Sequence, residues 1–194
     1  IKHFSVGICS CDRGCGVTHL TIALANYCSS KLRKSTACLE INHTGAFNRL
    51  SAFTSEKTPY SKLKADPVIS IYNVDYYPTI SLENIPEIFG KGYCYLLLDF
   101  GVLTDLTFHE FLRCDRKIVI GSLSPWKEDL YHQFFNNYLL QMQWNSFVCL
   151  VLFGEKQDIH RFSGKYHISM KQVPFIRNPF HITQEQFLFL QELL

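Results

Sequence analysis

The stretch GYCYLLLDFG, residues 92 to 101, is almost entirely apolar until it reaches a single carboxylate, Asp99. A strand with one face in water alternates apolar and polar residues. One that does not alternate has to be covered on both faces, as strands are in parallel sheets flanked by helices. RKIVIGSL at 116–123 and SFVCLVLFG at 146–154 repeat the pattern, and HFSVGIC at 3–9 and STACLEIN at 35–42 are shorter runs of the same kind. KQVPFI at 171–176 is expected to be a last short strand, while 68–72 and 74–80 are short and β-prone without a clear period.

Helical spacing fills the gaps between these runs. In HLTIALANYCSSKL at 19–32, Leu20, Leu24, Tyr27 and Cys28 fall on one face, and PWKEDLYHQFFNNYLLQM at 125–142 reads as another helix. SLENIPEIF at 81–89 has Ser81 as a cap, with Asn84 where a complete capping box would have Glu or Gln. Thr183 is placed to cap a closing helix, QEQFLFLQELL. Residues 43–66, rich in Ser, Thr and Lys, read as loop or short helix. Strands alternating with helices predict an α/β fold: a three-layer, open, mostly parallel sheet with helices on both faces. With 194 residues, 47% of them apolar, and no linker or repeat, one domain is expected over 1–194. Ligands of such sheets bind outside the carboxyl ends of the strands, which is where the 10–18 loop, Asn42, Asp99 and Ser122 would converge.

Charge and composition narrow the function. The 19 basic and 17 acidic residues are spread along the chain, so no dedicated nucleic-acid surface is evident. No apolar run reaches the roughly 18 residues of a membrane span, and TQEQFLFLQELL lacks the Lys and Arg of a lipid-binding amphipathic helix. Direct membrane insertion is therefore disfavoured, that helix is expected to pack on the sheet, and the cytoplasm is the expected location. The chain begins at Ile1 rather than Met, the start expected of a piece cut from something longer. Of the eight cysteines, Cys9, Cys28, Cys38, Cys94 and Cys149 lie in apolar segments and are expected to pack as reduced small hydrophobes.

CDRGCGVTHL, residues 11 to 20, follows the first strand and opens the first helix. Glycines at such a turn let backbone N–H groups point at phosphate oxygens, at the positive end of the helix. Gly14 and Gly16 supply the turn and Thr18 supplies a hydroxyl for magnesium, whereas Val17 stands where a phosphate-binding loop has its lysine.

These residues carry a resemblance to the ParA/MinD family of deviant-Walker, SIMIBI-type P-loop ATPases. FSVGICSCDRGCGVTHLTIALANYCSSKLRKSTACLEIN resembles that family's opening strand, loop, helix and second strand, and YCYLLLDFG its Walker B strand. KIVIGSLS, FVCLVLF and VPFIRNPF resemble the later strands and the turn near the base pocket. The resemblance implies ATP or ADP with magnesium, held by Arg13, Gly14, Cys15, Gly16, Val17, Thr18 and His19, with Thr18 and Asp99 at the metal. It also implies dimerisation across the nucleotide face.

Four loop positions depart from the family: Cys11 and Arg13 replace glycines, Asp12 the dimer-bridging lysine, and Val17 the phosphate-gripping lysine. The two aspartates of the second strand fall on Glu40 and Asn42, and the base-contacting asparagine on Phe153 or Gly154. Phosphoryl transfer rests on positioning and charge compensation, so these losses favour a pseudo-ATPase with no catalytic residue assigned, bound to a nucleotide or to none. It would serve as an interaction or positioning module, with a protein partner or a second copy, in localising a pilus, secretion (TadZ/CpaE-like) or partition machinery. A slow ATPase using Arg13, Thr18 and Asp99 is the alternative. A metal or redox sensor built on Cys9, Cys11 and Cys15 is the second, although C-x-C-x3-C matches no standard zinc knuckle.

Plainer roles stand beside each assignment. Asp99 can satisfy loop amides, Thr18 can cap its helix, His19 can pack, and Cys11 and Cys15 can line a tight loop. Trp126 and Trp144 are expected in the core or at an interface, and Phe153 is placed to block a base pocket.

Overall fold

The computed structural model describes residues 3–53, 68–139 and 147–194. Trp144 and most of the 43–66 segment lie outside the described residues. The eight strands among the described residues form one sheet in the order β3-β4-β2-β5-β1-β6-β7-β8. They are β1 Phe4–Ser10, β2 Thr36–Glu40, β3 Ile69–Ile71, β4 Val74–Tyr77, β5 Tyr95–Val102, β6 Arg116–Gly121, β7 Phe147–Val151 and β8 Met170–Gln172. Every pairing is parallel except that of β3 with β4. The last strand is shorter than KQVPFI because Pro174 has no N–H to give a ladder.

Among the described residues six α-helices accompany the sheet: α1 Val17–Asn26, α2 Ile85–Phe89, α3 Asp105–Arg113, α4 Glu128–Phe134, α5 Lys156–Tyr166 and α6 Gln184–Glu192. Wider π turns extend α1 through Tyr27–Lys31 and α4 through Phe135–Leu139. The apolar strands divide their side chains by the two-residue period. Leu96, Leu98 and Phe100 of β5, with Val119, Cys149 and Val151, face a layer holding Phe111, Tyr131, Phe134 and Phe162 from α3, α4 and α5. Leu97, Ile118, Ile120 and Leu150 face the opposite layer, with Leu20 and Leu24 of α1 and Leu190 of α6. The continuous hydrophobicity of these strands is thus that of a sheet covered on both sides, as expected.

Helix ends differ in part from expectation. Thr183 and Gln186 form a reciprocal capping box at α6, which packs on the sheet as expected. Ser81 makes no side-chain cap bond; a 3₁₀ turn, Leu82–Asn84, leads into α2 instead. α3 and α5 are additional helices. Thr104 caps α3 with Thr107 in the place usual for Glu or Gln, and α5 buries only Phe162 and Tyr166, one turn apart. Trp126 is 79% exposed and so is not in the core.

All eight cysteines are free. Burial holds the Cys9 and Cys38 thiols well above their ordinary range and pushes Cys28, Cys114 and Cys149 up to about 12, which keeps them protonated and unreactive. No helix among the described residues is long and apolar enough to cross a membrane.

Candidate nucleotide site

β1 lies between β5 and β6, and its carboxyl end delivers residues 11–16 to the middle of the sheet edge. The Ser10 hydroxyl anchors the start of this loop, 2.8 Å from the Asp12 carbonyl oxygen and 3.2 Å from that of Gly101. Gly14 and Gly16 both adopt left-handed backbone, with φ of 76° and 80°. The space beside them is open: a β-carbon at either would find no atom nearer than 3.9 Å. Gly16 is the N-cap of α1 and offers no side chain to it, so the first-turn amides of Val17, Thr18 and His19 have no intrahelical acceptor. An anion seated over the loop would meet those amides and the positive end of the helix.

Thr18 is the second residue of α1 and does not cap it. Its hydroxyl donates to Oδ2 of Asp99 at 2.6 Å, across 81 residues of sequence. Asp99 is fully buried, and its Oδ1 accepts the Gly101 N–H at 3.0 Å. It therefore does satisfy a loop amide while also meeting the loop threonine. Burial pushes its carboxyl up to about 6, against the opposing pull of the bonds from Thr18 and Gly101. A hydroxyl and a carboxylate side by side at the foot of the glycine loop would fit magnesium, which takes few protein ligands and completes its shell with water and ligand oxygens. Among the described residues no group of three or more His, Cys, Asp or Glu is arranged to hold a metal ion.

Other predicted residues have different employment. Val17 is buried in the apolar layer, so its side chain does not reach the loop's open side. Arg13 is exposed, and its carbonyl oxygen accepts a bond from the Lys127 ammonium at 2.8 Å. Glu40 is fully buried and organises the next turn, its carboxylate accepting from the Thr44 hydroxyl at 2.8 Å and the Ala46 N–H at 2.7 Å. Asn42 accepts from the Thr44 N–H at 2.9 Å. Ser122 bonds to Ser124 at 2.9 Å in the turn after β6.

Two features of the edge come from the tertiary structure alone. Lys127, at the start of α4, forms an ion pair with Asp12 at 2.7 Å. The pairing holds the Asp12 carboxyl below its ordinary value and the ammonium above its own. Cys15 is lowered too, chiefly by a hydrogen bond from Cys11 and also by the Lys127 charge. The one sequence signal for Lys127 was its place on the turn after an apolar strand, which puts it at the ligand edge.

Beside Gly16 lies a cleft of about 750 Å³, walled by Leu20, Ile120, Leu152, Phe153, Pro174 and Phe175. His19 borders it and is exposed rather than packed on the sheet; its Nε2 lies 2.7 Å from the Ile176 carbonyl oxygen, a bond that ties α1 to the segment after β8. Phe153 stands 61% exposed on the wall and leaves the cleft open.

No protein-family model matches the sequence, and no curated protein does. Solved structures match it over nearly its whole length. A plasmid partition protein from Borrelia burgdorferi B31 bound to AMPPNP superposes with a TM-score of 0.70 at 15% identity, covering 99% of this chain and 97% of that one. A ParA family ATPase from Chlorobium tepidum TLS gives 0.63 at 13% identity, covering 99% and 92%. The MinC:MinD cell division complex of Aquifex aeolicus gives 0.62 at 15% identity, covering 90% and 82%. At these identities the likeness establishes architecture: this chain has the fold of the ParA- and MinD-type P-loop ATPases.

Proposed function

We propose that this chain is a nucleotide-binding module that holds ATP or ADP with magnesium, does not hydrolyse it at a useful rate, and acts by engaging another protein or a second copy of itself. The Thr18 hydroxyl on the buried Asp99 carboxylate, 2.6 Å apart beneath an open glycine loop, carries the reading. In it the loop amides hold the phosphates, Thr18 and Asp99 hold magnesium, and the cleft beside Gly16 takes the base. Magnesium would offset phosphate charge at that point.

The absence of hydrolysis rests on two side chains. Asn42 brings no carboxylate to orient water, and Glu40 spends its carboxylate on the 44–47 turn. For the interaction role, the support is a set of exposed aromatic residues on loops at the same edge: Trp126 after β6, Phe153 after β7 and Phe175, 86% exposed, after β8. Aromatic side chains are common anchors of protein interfaces. Localising a pilus, secretion or partition machinery is the setting proposed for such a module.

A slow magnesium-dependent ATPase is a second reading, favoured by the exposed Arg13 side chain on the loop. Isothermal titration with ATP and magnesium, followed by phosphate release, separates the two. The expected result is saturable binding, weakened at least tenfold in Thr18→Ala and Asp99→Ala, with phosphate release no faster than background. Turnover that disappears in both variants would establish the ATPase instead. No binding at millimolar ATP would overturn the nucleotide-binding claim. A redox reading needs an accessible thiol, and of Cys9, Cys11 and Cys15 only Cys11 is partly exposed, so Cys15 is expected to react slowly in a thiol titration of the native protein.

A further inference from the structure

The loop has lost both lysines expected of it, yet a lysine ammonium stands at the loop. Lys127 Nζ lies 2.7 Å from Asp12 Oδ2 and 2.8 Å from the Arg13 carbonyl oxygen. It would be 3.9 Å from a β-carbon on Gly14, the nearest atom to that open position. We propose that Lys127, reaching in from the start of α4, replaces the missing loop lysine and grips the terminal phosphates of the nucleotide, with Asp12 as its partner when no phosphate is there. This inference rests on the nucleotide-binding reading above.

The backbone geometry suits the task. The Lys127 N–H bonds to the Ser124 carbonyl oxygen at 2.8 Å, and the Ser124 N–H to the Ser122 hydroxyl at 3.2 Å. These bonds fix the base of the side chain at the carboxyl end of β6, and its stem crosses to the neighbouring loop. An ammonium has three N–H donors, and here one meets the Arg13 carbonyl and one meets Asp12, so phosphate oxygens can take the third donor and then the one that Asp12 gives up. The Lys127 and Asp12 side chains are 27% and 28% exposed, so the carboxylate has water to turn into when a phosphate oxygen takes its place. A terminal phosphate carries more negative charge than one carboxylate, so the exchange favours the phosphate.

The arrangement also accounts for two departures that looked unrelated. Val17 packs in the apolar layer below α1, so the cation has to come from another element. Asp12, which would repel phosphate if it stood free, is instead neutralised by Lys127 and holds it in position. The opposing possibility is a latch, in which the ion pair only closes the loop and must break before anything binds.

The test is titration of ATP with magnesium, and separately of AMP, into the unaltered protein and into Lys127→Ala, Lys127→Arg and Asp12→Asn. A partly exposed ion pair contributes little to folding, so the variants are expected to fold; circular dichroism checks this. Loss of a charge-assisted bond to phosphate is expected to weaken ATP binding at least tenfold in Lys127→Ala, with AMP affinity changed less than threefold. Lys127→Arg should retain ATP affinity within about threefold, and Asp12→Asn should tighten it by freeing the ammonium. If the unaltered protein binds ATP and Lys127→Ala binds it equally or more tightly, Lys127 is a latch and this inference fails while the nucleotide reading stands. If the unaltered protein binds neither ATP nor AMP, both fail.

Discussion

Asp99→Asn is expected to stabilise the protein by about 3 kcal/mol at pH 7.5 and to leave its stability unchanged near pH 3.5. In the native fold burial raises the Asp99 carboxyl from an ordinary value of 3.8 to about 6. The fold therefore favours the protonated form. That contribution is complete below 3.8 and is lost as pH rises through 6, because above it the chain keeps a charge where little water reaches. A shift of this size corresponds to about 3 kcal/mol at 1.36 kcal/mol per unit. Asparagine occupies the same volume and cannot ionise. Its oxygen can accept the Gly101 N–H and its amide can donate to Thr18, so the existing bonds have replacements. Urea unfolding at several pH values measures the difference directly. Parallel curves for the two proteins would show that burial does not govern this carboxyl. The same variant is expected to lose magnesium-dependent ATP binding, and a gain in stability with a loss of binding is the mark of a charge kept for function.

A large loss of stability is expected from Gly121→Ala. Gly121 ends β6, and the Tyr131 ring lies directly against its α-carbon, so an added methyl would fall well inside contact distance of three ring carbons. Tyr131 has little freedom to yield. It is fully buried, its hydroxyl donates to the Leu150 carbonyl oxygen at 3.0 Å, and its ring packs on Phe135 and Phe162 at centroid separations of 5.1 and 5.0 Å. Overpacking at such a site costs about 3 kcal/mol, near the upper end for added methyls, and should lower the melting temperature by roughly 10 °C. Tyr131→Ala removes the obstacle, so the double variant should be less destabilised than the sum of the single changes. Strict additivity would show that the ring is not what the methyl meets.

These two positions differ in how visible they are in the sequence. Asp99 stands out because it is the one carboxylate in a long apolar run, and such a residue at the end of a buried strand has few uses. Gly121 sits in an apolar strand whose text gives no hint that a tyrosine ten residues later will lie on it. The short helices α3 and α5 were hidden for a related reason. Each presents only one or two buried side chains, Phe111 in α3 and Phe162 and Tyr166 in α5, too few to establish a period.

Local sequence was enough for the parallel sheet, the covering on both faces, the glycine turn after β1 and the candidacy of Thr18 and Asp99. The first three follow from side-chain period and turn chemistry, which act within a few residues, while Thr18 and Asp99 as a magnesium pair come from the loop motif and the family resemblance. The order of the strands, the 2.6 Å contact between Thr18 and Asp99, the employment of Glu40 in its neighbouring turn and the arrival of Lys127 at the loop were decided only by the tertiary structure. They depend on which strands come to lie side by side. That choice is made by packing between segments distant in the chain, so the lysine that meets the loop is one that the loop's own sequence does not contain.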